Sequence, residues 1–228
     1  GGTLLAGYQN KAIHVGEHMI DEPLHFQGGL TKRSYFNQNG KVDINDKEAL
    51  MHSSNVYMFK TALKLAKDPY HYNMALPNDI RDAGQKLRKG LNQVGLGVKT
   101  GIDLPNEVAG QIEKLDSNSG NYLDLAIGQY DTYSPLQLSQ YVSTIANNGY
   151  RITPHVGLEI RKATDKDSLG PVKHKIRGNV LNRLNNSPDE IKQVQKGFDM
   201  AFNKEPGTGY KSFHDTVVPS AGKTGTAE

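Results

Sequence analysis

An α+β domain is the fold class that this sequence predicts, on three observations. Five segments carry helical periodicity with start or stop signals of their own. The alternating, β-branched stretches come mostly late in the chain rather than between successive helices. There is also no internal repeat and no low-complexity tract.

The first forty residues are rich in Gly and Asn and predict an irregular region, with a hairpin-like element over His18 to Phe26. Asn45-Asp46-Lys47-Glu48 has the spacing of a capping box and predicts a short helix to about Met51. That helix delivers the chain to His52-Ser53-Ser54-Asn55. Beyond it Val56, Phe59, Leu63 and Ala66 recur at helical spacing until Asp68-Pro69. A further helix is predicted from Asp79 to Val94, with Ile80, Ala83, Leu87 and Leu91 inward, Asn78 as cap and Gly95 beyond its end. Its Lys86, Arg88 and Lys89 read as a solvated face.

Ser134-Pro135-Leu136-Gln137 combines cap, first-turn proline and third-position glutamine. With Leu138, Tyr141, Val142 and Ile145 it predicts a buried helix ending before Gly149. Arg151 to Ile160 alternates like a strand, and the Asp/Lys-rich stretch from Lys162 to Lys175 reads as a solvated loop. Ser187-Pro188-Asp189-Glu190 opens a helix through Ile191, Val194 and Phe198 that ends near Pro206-Gly207. A last strand, Asp215 to Val218, is predicted to run into Ser220-Ala221-Gly222-Lys223-Thr224-Gly225-Thr226.

Composition narrows the functions. A chain of 228 residues is large enough for one domain with a substantial core. Its 27 Lys+Arg and 24 Asp+Glu are scattered, net charge +3, which argues against a nucleic-acid surface. Zero Cys excludes a disulfide framework, a thiolate zinc site and a cysteine nucleophile. The eight His form no compact ligand pattern, since His14 and His18 lie in a Gly-rich region without helical periodicity; no metal and no cofactor is expected. Apolar runs such as Leu123 to Ile127, broken by Asp124, fall far short of the roughly 20 residues of a membrane helix. The opening Gly-Gly-Thr-Leu-Leu has neither an initiator Met nor the pattern of a signal peptide, so the chain reads as an excerpt. Tyr57, Tyr130, Tyr133 and Tyr141 read as core or cleft-wall residues, and Val56 as helix packing.

Two tripeptides could carry chemistry. Lys223-Thr224-Gly225 brings an ammonium, a hydroxyl and a residue without a side chain to a strand edge. Such an edge could hold a peptide and its carboxylate and aim a backbone N–H at an oxyanion. Ser53-Ser54-Asn55 sets a hydroxyl and an amide at i and i+2 between two helices. Taken alone, the first is a common turn sequence and the second a helix cap. Taken together, Ser-x-Asn between helices followed by a distant Lys-Thr-Gly is a known motif set.

On these residues the chain resembles the transpeptidase domain of penicillin-binding proteins, most closely the monofunctional class B proteins of Gram-positive bacteria. The resemblance extends through Thr100-Gly101-Ile102-Asp103-Leu104-Pro105-Asn106-Glu107, Ala126-Ile127-Gly128-Gln129 with Ser134-Pro135-Leu136-Gln137-Leu138, Ile145-Ala146-Asn147-Asn148-Gly149 with Pro154-His155, and Gly222 to Glu228. It implies a penicillin-binding transpeptidase or serine β-lactamase-like fold, an antiparallel sheet with a helical subdomain, truncated at both ends.

The implied reaction is acyl transfer, in which a serine attacks the D-Ala-D-Ala bond of a cell-wall stem peptide and an amine resolves the acyl-enzyme. By the same resemblance Ser53 belongs to the proton relay, Asn55 contacts the amide of the acyl group and Lys223 supplies positive charge. Thr224 and Thr226 bind the substrate carboxylate beside Gly225, and the Thr226 N–H forms half of the oxyanion hole. The implied partners are stem peptides, lipid-linked precursor polymer, β-lactams and membrane-bound proteins of wall synthesis. The parent would be anchored in the cytoplasmic membrane by an N-terminal helix outside this chain and would act on the outer face.

The chain departs from the family in having no Ser-x-x-Lys motif before Ser53. It is therefore expected to span residues 1–228 of a partial domain that begins after that motif, and to be inactive alone. The one literal match, Ser220-Ala221-Gly222-Lys223, lies on the predicted strand, where i and i+3 point to opposite faces. Three rivals share the motifs. A β-lactam-sensing receptor domain would adjoin a multi-span membrane region. A hydrolytic β-lactamase or carboxypeptidase would release its acyl group fast, with Glu107 and Glu113 as available carboxylates. A catalytically dead wall-binding module would lack the upstream serine.

Overall fold

The computed structural model describes residues 1–115 and 119–225. In chain order the elements are α1 (Gly2–Gln9), β1 (His18–Asp21), β2 (Leu24–His25), β3 (Thr31–Lys32), β4 (Val42–Asn45), α2 (Asp46–Met51), α3 (Asn55–Leu65) and α4 (Arg81–Gln93). They continue with α5 (Ser119–Ile127), α6 (Pro135–Ala146), β5 (Tyr150–Ile152), β6 (Glu159–Arg161), β7 (Val172–Lys175), β8 (Val180–Arg183), α7 (Pro188–Asn203) and α8 (Tyr210–Phe213). Among the described residues the strands form four separate two-stranded antiparallel ribbons, β1 with β4, β2 with β3, β5 with β8 and β6 with β7. The α+β expectation holds, with helices supplying most of the core.

The predicted helices form, and three of the four expected caps are present. Asn45, Ser134 and Ser187 each close a capping box at the start of α2, α6 and α7. Asn78 does not cap α4. Asp79 takes that place in the chain, accepting from Arg81 N at 3.0 Å while gripping the Arg81 guanidinium. Gly95, at φ +96°, turns the chain beyond α4 as expected.

Helix α1 was not anticipated and is the hub of the molecule. Gly2 to Tyr8 are all buried, so the helix is covered on every side and has no exposed polar face to create a periodic pattern. It packs against α3, α4 and α7. Its Thr3 hydroxyl donates to Ala126 O of α5 at 2.6 Å, and Gly2 N donates to the Tyr141 hydroxyl of α6 at 3.2 Å. Where α1 crosses α4, a Cβ on Gly90 would stand 2.6 Å from Ala6 Cβ, so that crossing requires glycine. The rest of the core includes Leu24, Phe26, Leu50, Tyr57, Phe59, Leu63, Ile80, Leu87, Tyr122 and Leu123.

Five further expectations are corrected. Helix α6 buries only part of the apolar set that marks it: Ile145 lies in the core and Tyr141 packs against it, but Leu138 and Val142 are exposed, whereas Gln137 and Gln140 are buried. The Gln137 amide donates to Val98 O and Ala109 O, both at 2.9 Å, and that of Gln140 to Thr100 O and Ile152 O at 3.0 and 2.9 Å. Three of these carbonyls belong to the irregular stretch after α4, which no ladder pairs, and the fourth to the end of β5. Arg88 is not solvated, because it grips the buried Asp131 carboxylate at 2.8 and 3.1 Å. The strand predicted over Arg151 to Ile160 splits at Thr153-Pro154 into β5 and β6, since Pro lacks the N–H a ladder needs. The loop predicted after it contains β7, paired with β6. Finally, Asp215 to Val218 forms no strand, and residues 219–225 run as unpaired chain with no sheet edge alongside among the described residues.

Candidate functional site

Ser53 lies between the end of α2 and the start of α3, where the backbone makes a sharp reversal. Ser54 N donates to Ala49 O at 2.8 Å and Ser53 N to Leu50 O at 3.3 Å, the two bonds of a Schellman ending for α2. The residue between them must adopt the left-handed conformation usually given to glycine, and Ser53 does so at φ +57°. A side chain there costs on the order of 1 kcal/mol. Ser54 performs the capping role, its hydroxyl accepting from Tyr57 N at 2.9 Å. The Ser53 hydroxyl is thereby left free for other work. Asn55 is the first residue of α3, half-buried.

The second motif reaches Ser53 from 170 residues away. Lys223 Nζ donates to Ser53 Oγ at 2.8 Å, and also to Thr224 O at 3.0 Å and Thr224 Oγ1 at 3.3 Å. The segment is held on α7: Gly222 N donates to Phe198 O at 3.2 Å, and a Cβ on Gly222 would stand 2.5 Å from the Phe202 ring. The Thr224 hydroxyl donates to Thr208 Oγ1 at 2.9 Å, and Thr208 N to Met51 O at 3.1 Å, which ties the motif back to the end of α2. Burial lowers the Lys223 ammonium from its ordinary 10.5 to about 8. Thr224 and Gly225 are exposed. Thr226 lies outside the described residues, so the hydroxyl and N–H expected of it have no structural account.

The structure thus brings Ser53 and Lys223 into contact, with Thr224 beside them and Asn55 one helical step from the Ser53 turn. Ser220 is in neither a helix nor a strand, so its expected place on a strand is corrected. Its hydroxyl lies 3.4 Å from that of Thr216, while Lys223 is engaged with Ser53. Glu107 is not a free carboxylate. Desolvation pushes its pKa up, but bonds from the Thr100 hydroxyl (2.5 Å), Thr100 N (2.6 Å) and Gly101 N (3.0 Å) outweigh that and hold it below the usual value. Glu113 accepts from the Gln111 amide at 2.6 Å. His14 pairs with Glu17 and His18 with Asp43, and no group of three His, Asp or Glu among the described residues could hold a metal.

Sequence reasoning missed one cluster beside the site. Asp21, Ser34, Asn37 and Ser54 are buried together under the start of α3. The signal was present only as isolated polar residues in a region read as irregular. Two surface hollows of about 450 and 580 Å³, one beside Tyr8 and Glu17 and the other beside Glu22 and Tyr72, include neither Ser53 nor Lys223. The motif contact marks the site.

Residues 2–228 match the profile of the penicillin binding protein transpeptidase domain. The chain belongs to that family. It is 46% identical over its full length to penicillin-binding protein H of Bacillus subtilis, covering 31% of that relative. Penicillin-binding protein 2B of Streptococcus pneumoniae superposes with a TM-score of 0.93 at 36% identity, over 98% of this chain and 38% of that one. A Helicobacter pylori penicillin-binding protein, PBP2, solved in complex with MreC, superposes at 0.72 with 26% identity, over 100% of this chain and 38% of that one. The chain carries a transpeptidase domain of the class B, Gram-positive kind and spans about a third of the length of the curated relatives it matches. Among the described residues no helix is long and apolar enough to cross a membrane.

Proposed function

We propose that this chain forms the Ser-x-Asn and Lys-Thr-Gly walls of a peptidoglycan D,D-transpeptidase cleft in a class B penicillin-binding protein. The observation that carries the reading is the 2.8 Å contact between Lys223 Nζ and Ser53 Oγ, which joins the two motifs across 170 residues.

In this reading a serine of a Ser-x-x-Lys segment outside the chain attacks the penultimate D-Ala carbonyl of a stem peptide. The serine oxygen bonds to the carbonyl carbon, the C–N bond breaks and the amine of D-Ala leaves. That amine needs a proton, and Ser53 Oγ, in contact with an ammonium that burial makes more acidic, is suited to relay one. Lys223 adds positive charge where the tetrahedral oxyanion develops, Asn55 donates to the amide of the acyl group, and Thr224 and Thr226 hold the terminal carboxylate beside Gly225. The Thr226 N–H serves as half of the oxyanion hole. An amine from a neighbouring stem peptide then attacks the acyl-enzyme. A β-lactam follows the same first step, but its amine stays tethered after ring opening and the acyl group persists.

The parent protein is read as membrane-anchored, acting at the outer face on lipid-linked precursor polymer beside other wall-synthesis proteins. The MreC complex of the H. pylori relative supports partners of that kind. The chain by itself, residues 1–228 of the domain, is proposed to be inactive for want of the Ser-x-x-Lys serine.

Incubation with benzylpenicillin and intact-mass analysis test both statements. The full-length parent is expected to gain one adduct that persists for many minutes, mapping to a serine outside residues 1–228. The isolated chain is expected to gain none. An adduct on Ser220, or none on the parent, would overturn the reading.

A further inference from the structure

The Ser53 turn needs an anchor, because a side chain at φ +57° is held only by its surroundings. That anchor lies under α3. Asp21, at the end of β1 and 1% exposed, accepts from the Ser54 hydroxyl at 2.5 Å and from the Ser34 hydroxyl at 2.6 Å, both on Oδ2. Its Oδ1 accepts from the Asn37 amide at 3.1 Å, and that amide also donates to Asp21 O at 2.7 Å. The two hydroxyls then accept in turn from the first turn of α3: Ser54 Oγ from Tyr57 N at 2.9 Å and Ser34 Oγ from Val56 N at 3.0 Å. One carboxylate therefore serves two orphan N–H groups of α3 through two serines, at the helix end where negative charge is favourable. The Asp21 charge also acts on the Lys60 ammonium and the His52 ring, favouring their charged forms. Its strand also pairs with β4, which runs directly into α2. The ribbon thus braces both helices that flank Ser53.

We propose that Asp21 is a positioning residue for the acyl-transfer site, fixing Ser53 and Asn55 against Lys223 through Ser54 and Ser34. The proposal rests on the transpeptidase reading given above. An asparagine cannot replace the carboxylate. With its oxygen toward the two serines, its amide would face the Asn37 amide donor to donor. Reversed, its amide could donate to the second lone pair of each hydroxyl, but the two buried hydroxyl protons would lose the carboxylate oxygen they now donate to.

The experiment compares the full-length parent with Asp21→Asn, Ser34→Ala and a control, Asp131→Asn, which weakens the buried Arg88 pair elsewhere. Benzylpenicillin acylation is resolved into the binding constant and the acylation rate constant, and the melting temperature is measured for each variant. Asp21→Asn is expected to lower the acylation rate constant tenfold or more with the binding constant within twofold, and Ser34→Ala to lower it several-fold. Asp131→Asn is expected to lower the melting temperature while leaving acylation unchanged. Should Asp21→Asn fail to fold, Ser34→Ala decides the question. Acylation by both site variants at the wild-type rate, or losses matched by the control, would overturn the role of Asp21 and leave the transpeptidase reading intact. A wild-type parent that is not acylated would overturn that reading, and this role with it.

Discussion

At the residue scale, Ser53 shows a conformation and a chemical group in tension. The left-handed turn suits glycine and the proposed proton relay needs a hydroxyl. Ser53→Gly should therefore be about 1 kcal/mol more stable than Ser53→Ala by denaturant unfolding, while both lose penicillin acylation. In the proposed reaction Lys223 is the source of a pH dependence. Its charge is present below about 8, so β-lactam acylation of the parent should fall as pH rises through about 8, and Lys223→Arg should move that limb upward. The effect on stability has the opposite sign. Between about 8 and the ordinary 10.5 the unfolded chain binds the proton that the folded one has lost, so stability rises with pH across that window. Glu107 presents the reverse case. Its folded-state value lies below the usual 4.5, so its contribution is complete above that pH and is lost as pH falls through the lower value. Glu107→Gln should cost about 1–3 kcal/mol and leave the lifetime of the acyl-enzyme unchanged, because the carboxylate is engaged with Thr100 and Gly101. A shortened or lengthened lifetime would make Glu107 part of the chemistry.

At the scale of the element, α6 separates apolar pattern from burial. Gln137 is 0% exposed and closes both the capping box and two loop carbonyls, whereas Leu138 is 46% exposed. Gln137→Ala should cost about 2–3 kcal/mol, since it strands buried carbonyls. Leu138→Ser should stay within about 0.5 kcal/mol. Urea unfolding of the transpeptidase domain in the parent measures both. The reverse ranking would mean that Leu138 is covered by a segment outside this chain. The 215–225 segment teaches a related lesson. Its β-branched residues have strand propensity, but a strand exists only where a second edge pairs with it.

At the scale of the whole molecule, α1 holds the helices together. Gly90→Val in the parent should destabilise the domain by about 1–3 kcal/mol, because α4 cannot approach α1 with a side chain in the crossing. Calorimetry or urea unfolding checks it, and a neutral result would show that the crossing can open without loss.

Locally encoded features were legible in the sequence by itself. The capping boxes at Asn45, Ser134 and Ser187, the α3 periodicity from Val56, and the pairing of Ser-x-Asn with Lys-Thr-Gly all depend on residues a few positions apart or on fixed motifs. Tertiary structure alone decided that a segment buried on all sides and without periodicity is the central helix, and that Arg88 and Gln137 turn inward to partners that are distant in sequence. It also decided that Lys223 meets Ser53 and that Asp21 lies beneath it. A residue's partners across 20 or 170 positions depend on how the helices pack, and no local pattern carries that information.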